Sequence, residues 1–214
     1  MYYIKFLIIS FSLLISLLVK SQEINIYDNS YASVVAIFGD AAIGSGVIIS
    51  SHGYILTNWH VIEDNPNFKV LTIGEGSFEE NLREAEVIKY NATSDLALIK
   101  LKSLPGNMSV AKISQIIPKI GAAVHAIGHP NGEIWSYSKG YISAHRDDFS
   151  WKTEINAFKG DVYQMQTPIN PGNSGGPLLN DFGNVVGINT FADTESQGIT
   201  YAVTVTEIIK FLGS

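Results

Sequence analysis

Between residues 33 and 203 the chain is written in short apolar runs separated by turn residues. Residues 33–38, 46–50 and 54–58 are rich in Val and Ile and are parted by Gly-Asp and Ser-His-Gly turns, and 68–73, 85–90 and 96–101 continue the series. Runs of this kind, with β-branched and aromatic residues inside and Gly, Asp, Asn or Ser outside, predict strands. Six strands by about residue 102 are enough for a small closed barrel. A connector with Pro105-Gly106 and Pro118 follows and holds one apolar stretch at 110–113. A second series then runs through 122–127, 137–144, 162–166, 177–179, 185–190 and 199–203. Past it the period changes. Val205, Ile208, Ile209 and Leu212 share one helical face, with Thr204 or Thr206 placed to cap it. The expected fold is all-β, two six-stranded antiparallel barrels with a C-terminal helix. The first barrel is expected over about 30–102, a linker over 103–119, the second barrel over 120–203 and the helix over 204–212.

The N-terminus follows a different rule. Lys5 precedes an apolar run from Phe6 to Val19, broken only by Ser10, Ser12 and Ser16. Its 14 residues suit the core of an export signal and fall short of the roughly 20 that a membrane span needs. Val19 and Ser21 are small enough to flank a cleavage site before Gln22. A signal peptide over 1–21 and one folded domain over 22–214 are expected, in a periplasmic or extracellular protein. Lys20 sits awkwardly beside that site, so the alternative is an uncleaved leader that holds the protein at a membrane.

Composition narrows the chemistry. The 214 residues are 46% hydrophobic and 16% charged, ample for a packed core. With a net charge of −6 and no basic run, nothing in the chain would attract nucleic acid. The absence of cysteine excludes disulfides, a thiolate nucleophile, thiolate metal sites and a lipid-modified cysteine anchor. No cofactor is called for.

The stretch Thr167-Pro168-Ile169-Asn170-Pro171-Gly172-Asn173-Ser174-Gly175-Gly176-Pro177-Leu178 has neither helical nor strand periodicity and reads as a structured loop. Its small residues let the backbone approach a ligand closely and let N–H groups point outward together. A serine hydroxyl beside such donors is what acyl transfer requires. The pattern Gly-x-Ser-x-Gly also describes the nucleophile elbow of α/β-hydrolases, in which the histidine follows the serine. Here His52, His60, His125, His129 and His145 all precede Ser174, so that order is excluded. Taken alone, the stretch could equally be an inert Gly/Ser turn.

A serine nucleophile needs a base, and the base needs an orienting carboxylate. His60 follows the third expected strand at a barrel rim, and Asp95 opens the sixth. A buried aspartate requires a partner, and an imidazole Nδ1–H would serve while leaving Nε2 free to take a proton. Each residue alone could be a surface histidine or a turn cap. The order, with histidine and acid in the first half and serine in the second, places a crevice between them. His125 and His129 are four residues apart, but Gly128 and Pro130 deny them the helix that a metal-binding pair would use. His52 and His145 are expected in solvated loops, and Asp147 and Asp148 in a solvated turn. Two Asn-x-Ser/Thr sequons, at Asn91 and Asn107, matter only in a eukaryotic secretory pathway.

Thr57-Asn58-Trp59-His60-Val61, Ser94-Asp95-Leu96-Ala97-Leu98-Ile99 and Gly172-Asn173-Ser174-Gly175-Gly176-Pro177-Leu178 resemble the three catalytic blocks of trypsin-like serine proteases, most of all those of the bacterial HtrA/Deg type. Gly46-Val47-Ile48-Ile49, Ala126-Ile127-Gly128-His129-Pro130, Gly140-Tyr141-Ile142-Ser143 and Gly187-Ile188-Asn189-Thr190 extend the resemblance over roughly residues 33–212. The resemblance implies a serine endopeptidase working through an acyl-enzyme. His60 would be general base and acid, Asp95 its orienter and Ser174 the nucleophile. The N–H groups of Gly172 and Ser174 would form the oxyanion hole, with Asn173 shaping the loop. Thr190, Phe191 and Ala192 would pair with the substrate backbone, and Ile169, Thr190 and Tyr201 would line the pocket for the residue before the scissile bond. Pro168 stands where trypsin has its pocket aspartate, so a small or medium apolar residue is expected there rather than Lys or Arg.

The departures from the family pattern are specific. No PDZ module is expected after the C-terminal helix, the turn at 39–44 is short where a long one supports assembly, and Asn173 stands in place of the aspartate of the digestive zymogen switch. A protein or peptide substrate is the expected partner, and oligomeric state is left open. Two alternatives remain at this level: a latent or inactive binding protein on the same fold, and an esterase using the same triad. Subtilisin-like order would need a catalytic aspartate before His60 in an α/β pattern that this strand-rich chain lacks.

Overall fold

Strands β1 (Val34–Phe38), β2 (Ile43–Ile48), β3 (Tyr54–Thr57), β4 (Lys69–Leu71), β5 (Leu82–Asn91) and β6 (Leu96–Leu101) pair antiparallel in the order β1-β2-β3-β6-β5-β4, and β4 returns to β1 to close a barrel. The computed structural model describes residues 26–40, 43–152, 156–192 and 198–214, so the expected leader lies outside it. A second antiparallel sheet holds β7 (Ala123–Gly128), β8 (Ser136–Lys152), β9 (Ala157–Met165), β10 (Pro177–Leu179), β11 (Val185–Ala192) and β12 (Thr200–Thr204) in the order β10-β11-β12-β9-β8-β7. Its ends, β7 and β10, meet through Leu178↔Ala126 and Leu179↔His125. The C-terminal helix, Val205–Gly213, follows β12 directly.

The all-β reading and its closing helix match the expectation, and the differences have local causes. Thr204 is the helix cap, its hydroxyl accepting from the N–H of Glu207. The buried helix face is Val205, Ile208 and Phe211, whereas Ile209 turns toward solvent. Apolar spacing alone did not distinguish the two faces. A short helix at Phe78–Asn81, unforeseen because it lacks an apolar period, is nucleated by a capping box between Ser77 and Glu80. β8 runs on to Lys152 through the Arg146-Asp147-Asp148 stretch that reads as a turn, so His145 and both aspartates lie in a strand. Bulges between Ile142 and Ala144 and between Arg146 and Phe149 absorb the extra residues, with Asp148 at φ 52°. Asp148 is held there by its N–H to Asp161 Oδ1 (2.9 Å) and by Lys159 Nζ on its carboxylate (2.8 Å).

Period-2 geometry explains why so many strand residues are buried on both faces. Val35, Ile48, Ile55 and Ile99 fill the interior of the first barrel. Their neighbours Val34, Val47, Leu56 and Leu98 point the other way and pack against Ile127, Leu179, Ile188 and Val203 of the second sheet and Ile208 and Phe211 of the helix. Val124, Ile142, Tyr163, Met165 and Leu178 form the interior of the second sheet. The largest apolar cluster is thus the seam between the halves.

Candidate active site

His60 leaves β3 on a turn in which the N–H groups of Ile62 and Glu63 both donate to the carbonyl of Trp59. The Trp59 ring stacks on Tyr90 of β5 with centroids 3.8 Å apart, anchoring that turn. Asp95 arrives from the other side. The Asn91 side chain accepts from the N–H groups of Thr93 (2.9 Å) and Ser94 (3.1 Å), a turn built by an asparagine, and Asp95 sits at φ 56° before β6 begins. Left-handed backbone is tolerated by Asp, whose short polar side chain can bond locally.

The Asp95 carboxylate is fully buried and collects three donors. These are the backbone N–H of His60 (3.0 Å), its Nδ1–H (2.8 Å) and the hydroxyl of Thr190 (2.6 Å). A carboxylate only accepts, so the bond fixes the neutral ring with its proton on Nδ1 and a free lone pair on Nε2. Burial alone would lower the pKa of His60. The charge of Asp95, its hydrogen bond and the nearby charge of Glu63 together outweigh that penalty, and the value stands raised.

Ser174 sits on the loop between β9 and β10, and the conformation is imposed by glycine. Gly172 has φ 104° and Gly175 φ 84°. A Cβ on Gly172 would collide with the carbonyl of His129, and one on Gly175 with the carbonyl of Ser45 and the hydroxyl of Thr57. The Ser174 hydroxyl donates to the carbonyl of Thr190 (3.0 Å). Thr190 therefore touches both halves of the arrangement, its side chain on Asp95 and its carbonyl on Ser174. The N–H groups of Gly172 and Ser174 donate to no described residue, whereas those of Asn173, Gly175 and Gly176 donate to Asn170, Asn189 and Asn173.

The remaining expected residues fall into two groups. Ile169 and Tyr201 are both nearly buried, but in different clusters: Ile169 among the interior residues of the second sheet, Tyr201 at the seam. Phe191 stacks on Tyr201 (4.4 Å) and on Trp151 (5.5 Å), and Phe149 stacks on Tyr201 (5.2 Å), so an aromatic shelf lies beside the outer end of β11. Ala192 is exposed at that end. His52 is in an exposed turn. His125 and His129 are fully buried and each is engaged locally, His125 by Tyr137 and Asp181, His129 by Ser45. Sequence reasoning did not find Ser45, Asn58, whose amide holds the carbonyl of Asp95 (2.8 Å), or the contact of Thr190 with Asp95. Small polar residues in apolar strands carry no periodic signal. Their only mark is that each is a buried polar group that must have a partner.

The profile described as a trypsin-like peptidase domain matches residues 44–188. A probable periplasmic serine endoprotease, DegP-like, of Pseudomonas putida (strain GB-1) is 36% identical over 166 residues, which cover 76% of this chain and 32% of that protein. The serine endoprotease DegS of Escherichia coli (strain K12) is 32% identical over 168 residues, 75% of this chain and 44% of its own. The crystal structure of the serine endoprotease from Yersinia pestis superposes with a TM-score of 0.72 at 32% identity, over 88% of this chain and 64% of that one. The chain thus spans less than half the length of the curated relatives named here. Its fold and its profile match place it in the trypsin-like peptidase family, and the relatives it resembles there are named as DegP-like and DegS serine endoproteases.

Proposed function

We propose that this protein is an exported serine endopeptidase that cleaves peptide bonds through Ser174, His60 and Asp95. The observation that carries the reading is the double contact of Thr190, which links the buried Asp95 and its partner His60 in the first barrel to Ser174 of the second. On this reading both sheets are closed barrels and the crevice between them is the substrate cleft. Ser174 turns its hydroxyl from the Thr190 carbonyl toward His60 Nε2, which takes the proton as the oxygen attacks the substrate carbonyl. Asp95 stabilises the imidazolium that forms. The N–H groups of Gly172 and Ser174, which have no acceptor among the described residues, bind the oxyanion, a term worth about 3 kcal/mol per donor. The imidazolium then gives its proton to the leaving amine, and water releases the acyl group by the same steps in reverse. The edge at Thr190, Phe191 and Ala192 pairs with the substrate backbone. Ile169, Thr190 and Tyr201 bound the pocket before the scissile bond, and Pro168 leaves it without the charge that Lys or Arg would need. Export rests on the leader at 1–21 and on the periplasmic name of the relatives.

One contact favours a second reading. With its hydroxyl on the carbonyl of Thr190 rather than on an imidazole, Ser174 could be the resting state of a latent enzyme. Fluorophosphonate labelling of the purified protein, with Ser174→Ala as control and casein digestion alongside, separates the cases. Labelling that disappears in the variant, together with cleavage, is the expected result. Labelling without cleavage would favour an esterase, and no labelling of the folded protein would favour the latent state.

A further inference from the structure

His129 was left without a role by the motif analysis, and the proposed chemistry does not use it. It is nevertheless fully buried, and its only hydrogen bond among the described residues runs from Nδ1 to the hydroxyl of Ser45 at 2.9 Å. Ser45, on β2 of the first barrel, is fully buried too, and its hydroxyl lies 2.7 Å from the carbonyl oxygen of Gly172 on the loop of the second. A carbonyl can only accept, so the single hydroxyl proton of Ser45 goes to Gly172 and His129 must donate from Nδ1. The tautomer follows: Nδ1 carries the proton, and Nε2 is buried with no hydrogen-bond partner among the described residues. The ring packs edge-on against Trp135, with centroids 5.3 Å apart.

What this chain of bonds does is visible in the loop backbone. In a trans peptide the C=O and N–H of one plane point opposite ways, so holding the carbonyl sets the direction of the N–H. The plane that carries Gly172 N–H is held by Asn131 N–H on the Pro171 carbonyl (2.8 Å). The plane that carries Ser174 N–H is held by Gly176 N–H on the Asn173 carbonyl (3.0 Å). Between them lies the plane of the Gly172 carbonyl, held at its carbonyl end by the Ser45 side chain and at its N–H end by Asn173 N–H on the Asn170 carbonyl (3.0 Å). The Ser45 backbone N–H adds a further clamp on the Ser174 carbonyl (2.8 Å). Gly172 itself has no Cβ to narrow its torsions, and at φ 104° its conformation is held by these bonds.

We propose that Ser45 and His129 are positioning residues for the oxyanion loop: the imidazole orients the serine hydroxyl, which holds the Gly172 carbonyl back so that the flanking N–H groups face the substrate. The inference rests on the reading of Ser174 as nucleophile. Burial lowers the pKa of His129 to about 4, so the relay stays neutral and unbroken wherever His60 is a competent base.

Steady-state kinetics on a peptide ester, with fluorophosphonate labelling and thermal melts, test it. Ser45→Ala and His129→Leu should each lower kcat and the labelling rate by about tenfold to a hundredfold. KM should move less than about twofold, because the loss falls on the transition state. The double variant should be little worse than either single one, since both break one chain. His129→Asn, whose amide nitrogen can occupy the position of Nδ1 and donate, should recover most of the rate. A 15N spectrum of the imidazole should show the Nδ1–H tautomer with no titration near pH 6.5. Undiminished kcat in folded Ser45→Ala, or an Asn variant as impaired as Leu, would overturn the proposal. So would a His129 that titrates near its ordinary value. Should Ser45→Ala fail to fold, Ser45→Cys, which keeps the volume and weakens the donor, gives the same reading. Wild-type protein that never labels would instead count against Ser174 as nucleophile, and the His129 spectrum would still decide the relay.

Discussion

In the proposed mechanism His60 must be neutral to accept a proton, and its raised pKa sets where that happens. Activity should climb with pH through a midpoint above about 6.5. Stability should move the other way. A histidine whose pKa is raised by folding stabilises the fold in its protonated form, fully below the unfolded value near 6.5, and this is lost as pH rises through the folded value. Melting temperature and kcat/KM measured across that window should therefore show opposite slopes from this group. Asp95→Asn removes the largest raising influence and leaves burial, so the midpoint should fall while kcat drops about 10⁴-fold. An unshifted pH profile in that variant would mean that His60 is not the titrating base. Thr190→Val tests the third donor on the same carboxylate. Leaving a buried charge one hydrogen bond short should cost about 1.5–3 kcal/mol of stability, read by urea denaturation, together with a loss of kcat. A neutral result would show that water replaces the hydroxyl.

At the scale of elements, the C-terminal helix is fastened at both ends by polar contacts with the β-structure. Thr204 caps its start, and Lys89 of β5 reaches across the seam to the carbonyls of Phe211 (2.6 Å), Leu212 (3.3 Å) and Ser214 (3.0 Å), with its ammonium 4.8 Å from the Phe211 ring centre. A cation on the free carbonyls of a helix end is worth about 1 kcal/mol. Lys89→Met keeps the stem and removes the charge. It should lower the melting temperature by about 2–4 °C for a chain of this size, with activity unchanged. A full loss of helical signal would instead mean that the helix has no independent hold through Val205, Ile208 and Phe211. β5 itself explains its unusual exposure: beyond Glu84 it pairs only with β6, so its other edge is open and its alternation is weak. β8 shows the opposite case, where a charged stretch stays in a strand because bulges realign Phe149 and Trp151 with the aromatic shelf.

Over the whole molecule, the two halves are joined where the chemistry is proposed to occur. Ser45 N–H holds the Ser174 carbonyl, Thr190 holds Asp95, Trp135 Nε1 donates to the Val34 carbonyl (2.9 Å) and Lys159 N–H to the Thr93 carbonyl (2.7 Å). The segment between the sheets belongs to both: Ala111 N–H bonds the Ile48 carbonyl, and Ile113 bridges to Val185. With the largest apolar cluster at the same seam, neither half can open without exposing it. Thermal unfolding should accordingly be one transition, with calorimetric and van't Hoff enthalpies equal. Two resolved transitions would mean that the seam is weaker than its burial implies.

Much of this was legible in the chain before any coordinates. Strand periodicity gave the all-β class and the position of most strands, because alternating burial leaves a direct trace in the order of residues. The blocks around His60, Asp95 and Ser174 stood out because the proposed chemistry demands particular side chains on particular loops. What only the tertiary structure decided were the contacts that join them. Asp95 receives a hydroxyl from Thr190, the Gly172 carbonyl receives one from Ser45, and Ser45 in turn meets His129, partners 95, 127 and 84 residues apart along the chain. Such pairs have no local pattern. They exist because two sheets bury a common seam, and every polar group trapped there must find its partner across it.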